Sequence, residues 1–378
     1  MTSSVAQPKV VLFVGGFRPP KNGTEGGQGF ACRSLVDSPL NAHVRWKLVD
    51  TTQRSEPPPG VIVRAFDAAW RMTQVFWYLC FTKVDVVLTF SNFLPLGILE
   101  KGLYCLLGKM LGKRTVISFR FHPSIPRRGA RFFHWYIRKV CRCCDRIICQ
   151  SQLAADELIR LFQVDPVRID VIHNWIDTAR FMHPPARKPD AGGVTRIIYA
   201  GWLHPKKGIE YLMPAMRMLA DHRSDFLLTI CGSGSLHDLV QAQRVQLGLE
   251  KNVVLLGWVK NVEVYQRFFQ SDIFLLPSLA EGMPNALLQA MGCGLPVVTT
   301  NVSSIPAIIQ DGRNGSLIEP GSAQAICDGL LRLMARRMSW AEIGELNRQQ
   351  VLAGHDIAHV WPRIGRVLGL SDTEIKKS

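Results

Sequence analysis

Short runs of valine, isoleucine and leucine alternate along the chain with longer stretches in which apolar residues recur at helical spacing. In the first half these runs are VVLFVGG, DVVLTFS, RTVISFRF, RIICQS and RIDVIHN. Such alternation predicts parallel strands joined by helical crossovers. The pattern then repeats as RIIYAG, FLLTICG, VVLLGW, DIFLLPS and PVVTT, each run ending at small or polar residues. Between the two sets lies HPPARKPDAGG (His183–Gly193), whose proline, glycine and charge content reads as a linker. The predicted fold class is therefore α/β, with two doubly wound domains facing a central cleft and ligands at the carboxyl ends of the strands. The expected boundaries are 1–182 for the first domain, 183–194 for the linker and 195–355 for the second domain, with 356–378 a C-terminal helix crossing back to the first. No short-period repeat or low-complexity tract interrupts the pattern.

Composition agrees with two domains. At 378 residues the chain exceeds the size at which a single core stops growing, and 47% hydrophobic residues suffice for a core in each half. The formal net charge of +15 points to anionic partners, among which charge alone does not choose: nucleic acid, phosphorylated ligands or an anionic membrane. The N-terminal MTSSVAQPKVVLFVGG holds only the brief apolar run Val10–Val14, so it reads as a first strand rather than a signal peptide, and a cytoplasmic location is expected. The apolar run Val86–Leu99 is broken by Ser91, Asn92 and Pro95 and falls short of the roughly 20 residues a bilayer span needs. The ten cysteines lack a framework of regular spacing, which suits a reducing compartment. The cluster CRCCDRIIC (Cys141, Cys143, Cys144, Cys149) has no paired C-x-x-C and no nearby histidine spacing, so it reads as structural thiols rather than zinc ligands.

The most informative stretch is SLAEGMPNALLQAMGCGLPVV (Ser278–Val298). Strand DIFLLPS ends at Ser278, Pro284 suits a first helical turn, and Gly292 and Gly294 close the helix before the next strand. Free backbone amides around Gly282, Met283, Asn285 and Ala286 would present partial positive charge at a strand's carboxyl end, a place that suits phosphate, although Pro284 itself has no N–H. Glu281 beside them is either a solvated loop acid or a partner for sugar hydroxyls. Gln289, the only polar side chain in ALLQAM, is either a core amide satisfied by backbone or a ligand partner, because burying it unpaired costs of order 1–3 kcal/mol. Upstream, GWLHPKKG places Lys206 and Lys207 after another strand, where they can neutralise a diphosphate leaving group or simply be solvated.

In order and spacing, GWLHPKKG, CGSGSL, VVLLGWV, SLAEGMPNALLQAMGCGLPVV and DGRNGSLIEPGS together resemble the nucleotide-binding half of retaining glycosyltransferases with the GT-B fold, specifically glycosyltransferase family four. The resemblance covers nearly the whole chain and is strongest from about Val171 to Pro320. It implies two Rossmann-like domains and carries several roles onto matching positions. The family's pair of acids separated by seven residues falls on Glu281, expected at the donor sugar, and on Gln289, which takes the slot that usually holds the ribose hydroxyls. An amide there keeps hydrogen bonding but loses the strength of a carboxylate. The family's Arg-then-Lys pair maps to Trp202 and Lys207, so the arginine is lost and the lysine kept. Asn174 and Asp177 in HNWID match a family segment whose glycine is here Trp175. In PPKNGTEGGQGF, Gly26 and Gly27 resemble the glycine-rich loop after the first strand, where backbone approaches phosphate or acceptor. His122 in FRFHPS occupies the place of a histidine facing the reacting sugar.

The reaction so implied is transfer of a sugar from a nucleoside diphosphate to an acceptor hydroxyl with retained anomeric configuration. Its catalytic residues are His122, Lys207 and Glu281, and its donor-binding residues are Gly26, Gly27, Trp202, Lys206, Gly282, Met283, Pro284, Asn285, Ala286 and Gln289. No metal and no cofactor is expected, since there is no Asp-x-Asp site and the nucleotide-sugar is a substrate. Arginines 127, 128, 131, 138, 142 and 146 and Lys139 interleave with Phe132, Phe133, Trp135, Tyr136 and Ile137, a pattern for a basic amphipathic helix on anionic lipid. The same helix has two other readings, packing its aromatics in the core or binding single-stranded nucleic acid; no nucleic-acid motif accompanies it, and no nucleic-acid partner is expected. Membrane proximity suits a lipid-linked acceptor of bacterial surface polysaccharide, placing the protein at the inner face of the cytoplasmic membrane. The competing reading is a non-catalytic GT-B subunit, motivated by Trp202 and Gln289 standing where two charged residues are expected.

Overall fold

A computed structural model describes residues 7–18, 27–52, 59–91, 95–120, 130–181 and 193–376. Most of the expected linker, together with Gly26, His122, Arg127 and Arg128, lies outside the described residues. The chain divides into two compact units, one of Met1–Trp175 with Ile357–Ser378 and one of Ile176–Asp356. The first crossing thus comes directly after Trp175, whose buried indole donates to Ser34 Oγ at 2.9 Å inside the first unit. Ile176 next to it bridges Asp356, so the two crossings run side by side.

The first unit is built on β1 (Lys9–Gly15), β2 (Val44–Asp50), β3 (Val86–Ser91), β4 (Arg114–Phe119), β5 (Arg146–Cys149) and β6 (Ile169–Val171). They form one parallel sheet in the order β2-β1-β3-β4-β5-β6. Successive side chains of a strand point to opposite faces. In β1, Val11 and Phe13 accordingly join a core with helices Gly27–Val36 and Ile357–Val367, while Leu12 and Val14 join Val75, Leu79 and Tyr104 on the other face. Both faces are covered, which is why these strands read as unbroken apolar runs rather than as alternating ones.

Helix Ala130–Cys143 lies on the second face, and its aromatics divide. Tyr136, Ile137, Val140 and Cys141 are buried against β4 and β5, whereas Phe132 and Trp135 are exposed. The core-packing reading holds for Tyr136 and Ile137, which helical spacing turns inward, and not for Phe132 and Trp135. The cysteines of this region are free, and burial pushes the Cys149 thiol up to about 12. They act as small apolar core residues. Among the described residues no cluster of histidine, cysteine or carboxylate suitable for a metal ion occurs, and no helix is long and apolar enough to cross a membrane.

The second unit carries β7 (Thr195–Ala200), β8 (Phe226–Cys231), β9 (Val253–Gly257), β10 (Ile273–Leu276), β11 (Val297–Thr300) and β12 (Gly315–Ile318). Its parallel sheet has the order β12-β11-β10-β7-β8-β9. The chain starts at β7, adds two strands to one side, then returns to build the other side from β10. Strand order therefore reverses between β7 and β10, and the crevice at their carboxyl ends is where such sheets bind ligands.

Candidate functional site

Both loops at that reversal point are held in fixed shape. After β7 the chain makes a 3₁₀ turn at Pro205–Lys207, with His204 Nδ1 accepting from Lys206 N–H at 3.1 Å. It leaves the turn through Gly208 at φ +66°, where an added Cβ would sit 1.9 Å from the carbonyl oxygen of Pro277. Only glycine fits, because the conformation is left-handed and the backbone of the β10 loop presses against it. The Lys206 carbonyl accepts from Leu279 N–H at 2.8 Å and Ala280 N–H at 3.3 Å, joining the two loops.

This junction places Lys207 Nζ 2.5 Å from Glu281 Oε1. Ser278 Oγ donates to the same oxygen at 2.6 Å. Glu281 is buried, while Lys207 keeps its side chain 26% exposed. Among the described residues nothing donates to Oε2, so the carboxylate is oriented through one oxygen and has acceptor capacity left on the other. Hydroxyls from the end of β11 brace the loop from behind: Thr300 Oγ1 donates to the Ser278 carbonyl at 2.5 Å, and Ser304 donates to that of Gly282. Tyr199 beneath is fully buried, and burial, followed by the Glu281 charge, drives its phenol well above the usual range. Its hydroxyl donates to the Trp202 carbonyl at 2.8 Å, fixing the start of the lysine loop.

Helix Asn285–Gly292 begins four residues after Glu281 with no side-chain cap and no acid in its first turn. Pro284 occupies the N-cap with φ −74° and ψ 118° rather than the first helical turn expected for it. That extended ψ places Pro284 just outside the helix, and the helical amides begin at Asn285. Gly282, Met283, Pro284, Asn285 and Ala286 thus form one continuous strand-to-helix turn beside the Lys207–Glu281 pair. The helix N-terminus and the two lysines concentrate positive charge there, which suits an anionic phosphate.

Gln289 sits within the same helix, and its amide Nε2 donates to Tyr265 Oη at 3.0 Å in a buried contact. The core therefore supplies a partner for this glutamine without a ligand. Trp202, where the resemblance expects arginine, has its indole Nε1 buried with no hydrogen-bond partner among the described residues. Gly27 lies in the first unit, at the start of helix Gly27–Val36.

Sequence reasoning passed over Arg120 at the end of β4. Its guanidinium lies 4.8 Å from the ring centroids of both Phe90 and Trp175, in the corner formed by two rings tilted 71° to each other, and donates to Asn174 Oδ1. Gln150 Nε2 donates to the same Oδ1 at 2.5 Å. Burial lowers Arg120 to about 10, still charged at neutral pH, and its Nε and Nη1 find no acceptor among the described residues. The only signal in the sequence was an arginine directly following a strand's apolar run. Ser278 was read only as the end of a strand, and Ser304 and Tyr265 were missed; Ser304 follows the Ser278–Val298 stretch closely, whereas nothing near Tyr265 marks it.

Residues 37–180 match the profile of the family described as Glycosyltransferase Family 4, and residues 194–336 match that of Glycosyl transferases group 1. The chain belongs to glycosyltransferase family four. A similar protein of Escherichia coli, UDP-Gal:alpha-D-GlcNAc-diphosphoundecaprenol alpha-1,3-galactosyltransferase, is 29% identical over 262 residues, 66% of this chain and 66% of the relative's own length. Sucrose-phosphate synthase from Thermosynechococcus elongatus superposes with a TM-score of 0.76 at 15% identity, covering 95% of this chain and 98% of the other. HepE of Anabaena in complex with UDP superposes with a TM-score of 0.72 at 16% identity, covering 95% and 99%. These likenesses show the GT-B fold of two Rossmann-like domains. In family-four terms the profile boundary at residue 194 coincides with the start of the second sheet, and the Lys207–Glu281 pair lies inside the group 1 segment.

Proposed function

We propose that this family-four protein transfers a hexosyl residue from a UDP- or GDP-linked donor to a hydroxyl of a glycan or lipid-linked acceptor, with retention, in cell-envelope or extracellular polysaccharide synthesis. The observation that carries the reading is the buried Glu281 carboxylate, held by Lys207 and Ser278 through one oxygen at the mouth of an uncapped helix. Oε2 of Glu281 accepts from a donor-sugar hydroxyl. Lys207, Lys206 and the amides from Asn285 onward stabilise the negative charge that develops on the departing diphosphate. In this reading the bond from the anomeric carbon to the diphosphate oxygen breaks, the bond to the acceptor oxygen forms on the same face, and the acceptor's proton passes to the diphosphate. Catalysis is positioning and electrostatic stabilisation by side chains and helix, with no metal or cofactor required. His122 and Gly26, outside the described residues, and Gly27 serve the sugar and the phosphate or acceptor by resemblance. Gln289 serves ribose while Tyr265 holds its amide in place.

The named activity of the E. coli relative, on a diphosphoundecaprenol-linked acceptor, supports an acceptor of that class, and with it work at the cytoplasmic face of the membrane. The competing reading, a non-catalytic GT-B subunit, draws on Trp202 and on the Gln289–Tyr265 bond. The test is incubation of the protein with UDP- and GDP-hexoses and a lipid-diphosphate saccharide, followed by NMR of the product's anomeric coupling. Transfer with the donor's α configuration kept supports the proposal. An inverted product overturns the retaining mechanism, and nucleotide binding without transfer to any acceptor favours the subunit.

A further inference from the structure

Helix Val61–Phe81 is turned the wrong way round for a helix on the surface of a compact unit. Only Val75 and Leu79 of its 21 residues are buried. Its outward side instead carries Ile62, Phe66, Trp70, Trp77 and Phe81, each between 57% and 78% exposed. At about 100° of turn per residue these five lie within an arc of roughly 100°, and they run the length of a helix about 30 Å long. No charged residue falls in the row. An uncovered stripe of this size, rich in tryptophan and phenylalanine, marks a surface that something apolar covers.

The neighbours identify what covers it. Helix Pro95–Met110 packs against Val61–Phe81 on one side and against Ala130–Cys143 on the other, so the three make one layer over the sheet. Ala130–Cys143 has Arg131, Arg138, Lys139 and Arg142 and no acid, and it exposes Phe132 and Trp135. Lys139 lies over the Trp135 ring at 5.3 Å. The other helices of the layer add no net negative charge: Pro95–Met110 has one acid, Glu100, paired with Arg71 and Lys101, and Val61–Phe81 has one, Asp67, against Arg64 and Arg71. An aromatic row one helix away from a purely cationic helix in the same layer is complementary to a bilayer with anionic headgroups: the rings enter the interface and the cations stay at the phosphates. A second copy of the same basic layer would bring like charges together.

We infer that the outward row of helix Val61–Phe81 is an in-plane membrane anchor, inserted into an anionic leaflet, with helix Ala130–Cys143 supplying the electrostatic half of the contact. This deepens the reading of a lipid-linked acceptor proposed above and rests on it for its purpose. It also changes the division of labour expected from the sequence, which assigned the lipid contact to the basic helix alone.

The test is co-sedimentation of the full chain with vesicles of phosphatidylglycerol and phosphatidylethanolamine, compared with vesicles of phosphatidylcholine, for wild type and for Trp70→Ser/Trp77→Ser. Both rings are exposed, so the variant is expected to keep its circular dichroism and melting temperature. Binding of wild type to the anionic vesicles, with affinity at least about tenfold lower in the variant, and a residual contact in wild type that survives high salt, support the anchor. Equal binding by wild type and variant, or complete loss of wild-type binding in moderate salt, overturns it in favour of the cations alone. A dimer by sedimentation that the variant abolishes overturns it in favour of a second copy. Calorimetric binding of nucleoside diphosphates on the same samples keeps the two proposals apart: vesicle binding without nucleotide binding overturns the transferase reading alone, and the converse overturns the anchor alone.

Discussion

Truncating Lys207 to alanine removes the partner from a carboxylate that has little water to fall back on. Glu281 has its side chain 8% exposed, and loss of Nζ, now 2.5 Å away, leaves Ser278 Oγ as its one remaining side-chain donor among the described residues. Breaking a fully buried pair costs about 3–5 kcal/mol. Lys207 is 26% exposed, so water reaches the vacated side, and about 2–3 kcal/mol is the expected loss here. In a unit of this size each kcal/mol moves the midpoint by about 2–4 °C, giving a fall of roughly 5–10 °C. The second substitution, Glu281→Gln, removes the stranded charge, so the double variant recovers more than half of what Lys207→Ala loses. Glu281→Gln alone costs only about 1 kcal/mol, because the lysine can swing to solvent. Thermal unfolding of the four proteins closes the cycle. Additive losses, or a Lys207→Ala variant as stable as wild type, would refute the claim that the pair is coupled and buried.

Three further outcomes follow from the same geometry. Gly208→Ala forces a left-handed backbone on alanine and drives its Cβ into the Pro277 carbonyl, so urea unfolding should show a loss above about 3 kcal/mol together with loss of nucleotide binding. Burial by itself would raise the Glu100 carboxyl, but Lys101 and Arg71 outweigh it and hold it below its ordinary value, whereas deeper burial lowers Lys101 despite its partner. A depressed carboxyl stabilises the fold above the unfolded value of about 4.3 and ceases to do so as pH falls through the folded one. Glu100→Gln should therefore cost about 2 kcal/mol at pH 7, and its gap from wild type in melting temperature should shrink below about pH 4. Gln289→Glu buries a carboxylate with Tyr265 Oη as its donor and, among the described residues, no cation paired with it, so it should cost about 1–3 kcal/mol of stability. A tighter fit for nucleoside diphosphates in that variant, measured by calorimetry, supports the ribose role.

Much of this fold is legible in the sequence because parallel strands covered on both faces must be continuously apolar, as VVLFV and IFLL are. The loops holding Lys207 and Glu281 are legible as candidates for the same reason, since each follows such a run. Their contact is not, because it depends on β10 returning to lie beside β7, a fact of sheet order rather than of local pattern. Helix Val61–Phe81 shows the opposite limit. Apolar residues occupy its circumference except for one sector holding Arg64, Asp67, Arg71 and Gln74, so hydrophobic spacing does not distinguish which apolar side packs and which stays uncovered. Gln289 was recognisable as an anomaly in an apolar helix, but its partner Tyr265 lies 24 residues upstream in a helix whose register the sequence leaves open. Arg120 escaped notice because a strand-end arginine is ordinary until the rings of Phe90 and Trp175 close over it.

The account turns on whether the strand ends of the second unit hold a nucleoside diphosphate. Calorimetric titration of UDP, GDP and ADP into wild type and into Lys207→Ala asks this directly. Tight binding of one nucleotide by wild type, lost in the variant although its circular dichroism is retained, is the predicted result. No binding of any of the three by wild type, or binding unchanged in the variant, would contradict it.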